Sequence, residues 1–540
     1  MRRHVSQSVL FATEPAPAAP EPASRALPPR GAALLLALVG ALLLLRLGAI
    51  PLLGPDEPRY ARVAIEMQRA GEWVTPTLQG QPWLEKPPLY YWLAGAAYRV
   101  LGETETAARL PAVLAALLTV GTTALVGARL FGAGAGLHAG FVLGLSVLPF
   151  AYGRAASMDM LLAASVTVAQ GLIALRLLGI AGRLAVPVAG LFIGLATLAK
   201  GPLGLLLPAL ATGCYLLVAR DSKAWRALLS PAAAVLGLLV ALPWYLMAWR
   251  ENGHAFIEVF FLNHNLQRFT STIHRHPGPF YYYVPLVLLG LLPWVGLVPV
   301  ALARVRPRAS RAELLVTLWL AAPFAFFSLA GSKLPGYILP CLPPLAILAG
   351  RQADRWTREG AGAGGRVAAL VGLACAALVA AAPLVLRAQG EPLWRALIPL
   401  GGWSLLVAFV FSRTIAGDAA RALRLLRIGA AGTLLLVVMA APPLLSARES
   451  GRAFFVPARG REVLVWNAWR TAWMAGYFYN DARVRPVGGL EEIADAARSG
   501  PVLVLTGPEE RRALARTPTL VVTILVQGVR RNALLEVSRR

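Results

Sequence analysis

Charge is what this chain has least of: only 15% of its 540 residues are charged, while 57% are hydrophobic and the mean hydropathy is +0.61. A water-soluble domain needs far more polar surface, so the composition excludes an ordinary soluble enzyme. Acidic residues are scarcest, 27 Asp and Glu against 52 Lys and Arg, for a formal net charge of +25. In a soluble chain that excess would suggest nucleic acid. Here the basic residues sit in short clusters between apolar runs, with no basic stripe interleaved with aromatics, so nucleic-acid binding is excluded. The three cysteines, Cys214, Cys341 and Cys375, all fall in apolar segments and offer neither a disulfide framework nor a metal spacing. There is no P-loop and no Asp-x-Asp pair, and so no sign of a soluble nucleotide-sugar donor. Gly360 to Gly365 fits G-x-G-x-x-G, but it follows a basic loop rather than a strand and reads as a linker.

What the chain does have is apolar runs of bilayer length, roughly 20 residues each, recurring from Gly31 to Leu445. They predict a mainly α, polytopic membrane protein with about thirteen spans. The spans fall near residues 31–50, 106–129, 133–152, 158–180, 184–200, 202–219, 229–248, 280–301, 312–331, 335–350, 367–386, 397–412 and 425–445. Residues 1–30, rich in Ala, Pro and Arg, read as a disordered cytoplasmic tail, and the first span as uncleaved. Residues 31–446 form the membrane domain, with a long outer loop at 51–105. Residues 447–540 read as a small outer α/β domain, with strands at Val463–Trp466, Val502–Thr506 and Leu520–Val526 and an amphipathic helix at Leu490–Arg498.

With the amino terminus inside, the cytoplasmic loops carry Arg304, Arg306, Arg308 and Arg311, then Arg351, Arg355, Arg358 and Arg366, then Arg413, Arg421, Arg424 and Arg427. That is the positive-inside pattern. The outer loops are acidic by contrast, so the cations among them stand out. Lys86, Lys200, Arg268 and Lys333 each lie at or near the outer end of an apolar run, where topology gives no reason for positive charge. Two readings follow: each snorkels to the headgroups, or the four converge on an anion.

The first outer loop holds the densest chemistry, Gly54-Pro55-Asp56-Glu57-Pro58-Arg59-Tyr60 and, later, Gln81-Pro82-Trp83-Leu84-Glu85-Lys86-Pro87-Pro88. Between them, Tyr60, Ala64 and Met67 make an apolar stripe, with Arg59, Arg62, Glu66 and Arg69 turned away from it, as in a short helix lying on the membrane surface. Asp56 then reads as the N-cap of that helix, a position that leaves its carboxylate able to orient or deprotonate an acceptor. Asp159 likewise opens a span at the outer face. Prolines after Lys86 hold Glu85 and Lys86 extended, so their charges point apart. His264 lies in a histidine-containing outer loop and, with Glu85, makes a candidate site for a divalent cation such as zinc.

Together, the Asp56-Glu57 pair, Glu85-Lys86-Pro87-Pro88-Leu89-Tyr90-Tyr91-Trp92, Leu198-Ala199-Lys200-Gly201-Pro202, Gln267-Arg268-Phe269 and Lys333-Leu334-Pro335-Gly336-Tyr337 resemble the aminoarabinose transferases that modify lipid A. More broadly they resemble the protein O-mannosyltransferase-related branch of the membrane GT-C glycosyltransferases. The resemblance covers about residues 31–445. It implies a GT-C fold with a periplasmic carboxyl-terminal domain, location in the bacterial inner membrane with the site on the periplasmic face, and a polyprenyl phosphate sugar donor. It also implies inversion at the anomeric carbon, with 4-amino-4-deoxy-L-arabinose the candidate sugar and lipid A, another glycan or a protein the acceptor. Under it Lys86, Arg268 and Tyr337 hold the carrier phosphate, with Lys200, Lys333 and Arg59 assisting. Asp56 is the catalytic carboxylate, with Glu57 beside it, and Asp159 supports it. A metal near Glu85 and His264 is known in relatives. The competing reading, a transporter or lipid flippase, calls for ionisable residues in mid-span and related halves, whereas the charges here crowd the outer loops.

Overall fold

The computed structural model describes residues 26–220, 224–267, 278–388, 394–458 and 460–540. Each of the thirteen expected spans falls on helix. The first is α1 (Pro29–Leu44), followed by the outer-loop helices α2 (Asp56–Ala70) and α3 (Leu89–Leu101). Then come α4 (Glu105–Phe131), α5 (Ala133–Gly144), α6 (Val147–Gly153), α7 (Asp159–Leu177), α8 (Ala185–Lys200) and α9 (Leu203–Ala219). The membrane domain closes with α10 (Pro231–Phe256), α11 (Tyr283–Gly290), α12 (Leu297–Ala303), α13 (Arg311–Leu329), α14 (Leu342–Glu359), α15 (Gly362–Ala388), α16 (Trp394–Thr414) and α17 (Ala419–Glu449).

Among the described residues, seven helices are long and apolar enough to cross a bilayer alone, and α5 with α6 makes an eighth span bent by 64°. The remaining expected spans are shorter apolar helices or broken ones. That at 335–350 begins as a 3-10 turn, Pro335–Cys341, and only then becomes α14. Close helix contact comes from small residues: a Cβ on Gly136 would lie 2.3 Å from the Ala124 carbonyl oxygen, and one on Gly350 2.5 Å from that of Ala135, so α5 packs backbone to backbone against α4 and α14.

After α17 the chain builds a five-stranded sheet from β3 (Val463–Trp466), β4 (Val484–Pro486), β5 (Val502–Thr506), β6 (Leu520–Gln527) and β7 (Ala533–Arg539), the outer loop's two-residue strands Thr77–Leu78 and Gln81–Pro82 being β1 and β2. The order is β4-β3-β5-β7-β6. β3 pairs in parallel with β4 and β5, and β7 runs antiparallel to β5 and β6. The three expected strands are present. β4 is missed because three residues ending in proline give no alternation to read, and β7 because Glu536 and Ser538 interrupt its apolar run. The helix expected at Leu490–Arg498 spans Leu490–Ala496.

The outer loop departs from expectation. α2 starts with Asp56 and Glu57 in its first turn and ends on Gly71, whose φ of +68° suits a glycine and lets Glu72 N–H reach the Met67 carbonyl at 3.0 Å. The helix does not lie bare on a membrane surface, because the carboxyl-terminal domain covers its arginine face. Arg62 and Arg69 both pair with Asp481, and Arg69 also holds Glu103 at 2.6 Å. Gln79 Nε2 donates to the Ala482 and Val484 carbonyls at 2.9 Å each, and Tyr479 OH accepts from Leu52 N–H at 2.7 Å while donating to Glu105 at 3.1 Å.

Candidate active site

A cavity of about 500 Å³ opens between the outer ends of the membrane helices. Its charged lining is Asp56, Glu57, Lys86, Arg109, Arg154, Asp159 and Lys200, with Tyr60, Tyr152 and Tyr337 among them. These residues come from segments far apart in sequence, so only the fold brings them together.

Asp56 is the first residue of α2, and the N-cap expected there is Pro55 instead. With a proline at the cap and no side-chain cap bond, the Asp56 carboxylate swings along the helix to Arg59, one turn on. It stays half in solvent, its side chain 54% exposed and facing the cavity, whereas Arg59 is buried. The guanidinium of Arg59 stacks 4.9 Å from the Trp83 ring and 5.6 Å from that of Tyr60. Arg59 therefore aims Asp56 rather than lining the cavity as an anion ligand.

Asp159 was also expected as an N-cap, but Met158 takes that position and Asp159 begins α7. Its carboxylate pairs with Lys200, the last residue of α8, where the ammonium also compensates that helix's carboxyl-terminal dipole. Lys200 lies 4.6 Å from the centroid of the Tyr337 ring. Gly336 makes this packing possible, since a Cβ there would come within 2.7 Å of Tyr152 and 2.9 Å of the Asp159 carboxyl carbon. Lys200, Asp159 and Tyr337 thus act as one assembly.

Two of the expected residues are engaged elsewhere. Glu57 is scaffold: its carboxylate accepts from Arg109 at 2.7 and 3.1 Å and from the backbone N–H groups of Leu53 and Ala156 at 2.6 Å each. Arg109 also donates to the carbonyls of Leu47 and Pro51 at 3.0 and 2.9 Å, so this buried pair ties α1, α2, α4 and the loop before α7 together. Lys333 is buried and lies outside the cavity lining, because its ammonium turns back to donate to the carbonyl of Ala330, the C-cap of α13, at 2.6 Å. Arg268, the other expected phosphate ligand, lies outside the described residues.

Sequence reasoning named Tyr337 but missed Arg154, Arg109, Tyr60 and Tyr152 as cavity residues. Arg154 donates to the carbonyls of Leu42, Leu43 and Leu45 at 3.0, 2.6 and 2.9 Å, closing the open end of α1 at the cavity wall. For Arg154 one signal was available: it stands at the outer end of an apolar run, between Tyr152-Gly153 and Asp159, the same placement that singled out the lysines.

Glu85 and His264 do meet, Oε1 to Nε2 at 3.7 Å. Two ligands of a tetrahedral zinc with bonds of about 2 Å lie about 3.3 Å apart, so the pair fits two coordination positions after a small closure. Among the described residues no third His, Cys, Asp or Glu joins them.

An outward cavity set with carboxylates and lysines, on a bundle of membrane helices carrying an outer α/β domain, defines a multi-pass membrane glycosyltransferase of the GT-C type. Residues 85–249 match the family model described as dolichyl-phosphate-mannose-protein mannosyltransferase. Curated relatives named undecaprenyl phosphate-alpha-4-amino-4-deoxy-L-arabinose arabinosyl transferase include one from Edwardsiella ictaluri, 34% identical over 66% of this chain and 67% of the relative. Another from Sodalis glossinidius is 35% identical over 70% of this chain and 69% of the relative. The chain thus spans about two thirds of the length of these relatives. The crystal structure of ArnT from Cupriavidus metallidurans bound to undecaprenyl phosphate superposes with a TM-score of 0.77 at 26% identity, over 93% of this chain and 97% of that one. The chain belongs to the family of undecaprenyl phosphate-aminoarabinose arabinosyl transferases.

Proposed function

We propose that the protein transfers 4-amino-4-deoxy-L-arabinose from an undecaprenyl phosphate carrier to lipid A on the periplasmic face of the bacterial inner membrane. The observation that carries this reading is the cavity itself, which gathers Asp56, Lys86, Asp159 and Lys200 at the outer ends of helices, where a lipid-borne phosphate resides. As the anomeric bond breaks, negative charge grows on the carrier phosphate. Fixed cations in a low-dielectric pocket stabilise that charge more than water does. Lys86 takes this role, with Lys200 and the Tyr337 hydroxyl beside it, and Arg268 completes the set in this proposal. The acceptor, a lipid A phosphate, is already an oxyanion and needs no base. Asp56, aimed by Arg59, instead holds the ammonium of the amino sugar and fixes the anomeric carbon for attack from the face opposite the leaving phosphate, which inverts it. Glu85 and His264 would hold a divalent cation, which when bound supplies further positive charge near the leaving group.

Purified protein in liposomes, given radiolabelled undecaprenyl phosphate aminoarabinose and lipid A, tests the proposal. Labelled lipid A is the expected product, and Asp56→Asn should abolish it while the protein keeps its elution profile. Carrier moved across the bilayer without transfer would establish the flippase reading instead.

A further inference from the structure

The outer domain contains arginine but no lysine between residues 447 and 540. Several of its arginines are matched: Arg452 to Glu105, Arg461 to Glu536, Arg485 to Glu462 and Arg498 to Asp495. Arg512, Arg516, Arg539 and Arg540 are exposed and have no carboxylate partner among the described residues, and so are Arg470, Arg530 and Arg531, which differ in lying together beside α17 and the segment on α2.

They form one patch. The guanidinium of Arg530 lies 4.3 Å from the centroid of the Trp469 ring, and Trp469 N–H donates to Asn532 Oδ1 at 2.9 Å, joining the two segments. Arg530 and Arg531 have φ of +52° and +62°, a left-handed backbone that arginine seldom adopts and that costs free energy. Their turn, Val529–Arg531, packs against the membrane helix α17. Arg470 opens the short helix α18 (Arg470–Met474), which leads into α19 (Gly476–Tyr479), the segment seated on α2. Burial raises the pKa of Tyr477, and the charges of Arg59 and Arg470 oppose that rise. The patch therefore lies between the segment seated on α2, whose first residue Asp56 lines the cavity, and the turn packed against α17, which contributes Leu434, Val437, Val438 and Leu445 to the same cavity. Beside it β6 exposes Val521, Ile524 and Leu525. Unmatched cations next to exposed apolar side chains at a bilayer suit an anionic lipid better than a soluble anion.

We propose that Arg470, Arg530 and Arg531 bind the acceptor glycolipid through a phosphate other than the one that receives the sugar. The proposal rests on lipid A being the acceptor. It makes the outer domain the reader of the acceptor's second charge, and it places the glycolipid across the cavity mouth so that one phosphate enters.

The test uses the full chain in zwitterionic nanodiscs, with Arg470→Gln/Arg530→Gln/Arg531→Gln set against the unaltered protein. Binding of fluorescent lipid A is measured alongside steady-state transfer. Acceptor Kd and KM should rise about tenfold, as expected for losing charge-assisted phosphate contacts, while donor KM and kcat hold. Arg530→Gly, which suits the left-handed backbone, should give part of the same effect with no loss of thermal stability. Equal lipid A binding by both proteins overturns the proposal. So does abolition of the difference by an equal mole fraction of phosphatidylglycerol, which would assign the patch to bulk anionic lipid. If the unaltered protein binds lipid A more tightly than the triple variant yet transfers no sugar, the proposed function fails and the patch stands.

Discussion

At the scale of single residues, buried charge and exposed charge divide the work. Arg109 and Glu57 are both buried, and their hydrogen bonds are spent on each other and on backbone. Arg109→Met would leave a buried carboxylate without its cation, a loss of about 3–5 kcal/mol. The melting temperature in detergent should fall sharply, and adding Glu57→Leu should recover much of it. If single and double variants melt alike, the pair is not the clasp described. Asp56 and Lys200 keep access to the cavity. Lys200→Met leaves the partly buried Asp159 carboxylate without its ammonium, so it should lower the melting temperature, by less than Arg109→Met, while transfer falls by about two orders of magnitude, a size typical for removing one preorganised charge. Much of this division was legible beforehand. Asp56, Asp159, Lys86 and Lys200 stood out because charge at an outer helix end contradicts its apolar surroundings. Glu57 and Lys333 carried the same signal, and only the fold shows that their hydrogen bonds go to a buried arginine in one case and to the Ala330 carbonyl in the other.

At the scale of elements, the cavity depends on where helices stop. α6 ends at Gly153, α8 ends at Lys200, and the strand-like approach to Tyr337 tightens into a 3-10 turn. Gly336 is the contact that lets that turn reach Asp159. Gly336→Ala should displace the Lys200–Asp159 pair and reduce kcat at least tenfold, with about 1–3 kcal/mol lost from stability by overpacking. Full activity in that variant would show that the turn has room to spare. Helix positions were readable from apolar run length, because a bilayer enforces it. Breaks within runs were passed over by that reading, although the 64° bend between α5 and α6 has a local signal: it falls at Leu145 and Ser146, directly after Gly144 and just ahead of Pro149, whose ring and missing N–H oppose a helix continuing through Leu145.

At the scale of the whole molecule, the two domains meet along an ionic seam. Hydrogen bonding from Arg62 holds the Asp481 carboxyl below its ordinary pKa. A depressed carboxylate contributes stability that is complete above its unfolded pKa, about 3.9, and is lost as pH falls through the lower folded value. Limited proteolysis between the domains should thus be flat from about pH 5 to about pH 8 and rise only below about pH 4. Asp481→Asn should raise it across that whole range, and a variant cleaved no faster than the unaltered protein would remove Asp481 from the seam. The sequence told of the outer domain's existence through its change in composition. It did not tell that α2, with an apolar stripe on one side and arginines on the other, is packed on both.

That seam joins Arg62, Arg69 and Gln79 to Asp481, Ala482 and Val484, segments on opposite sides of the whole membrane domain in sequence. A chain whose synthesis stops short, even with every membrane helix inserted, lacks the cover over α2 that holds Arg62 and Arg69 in place. Joining segments so distant in sequence carries a large loop-closure cost, so the docking of the outer domain on α2 belongs among the last events of folding.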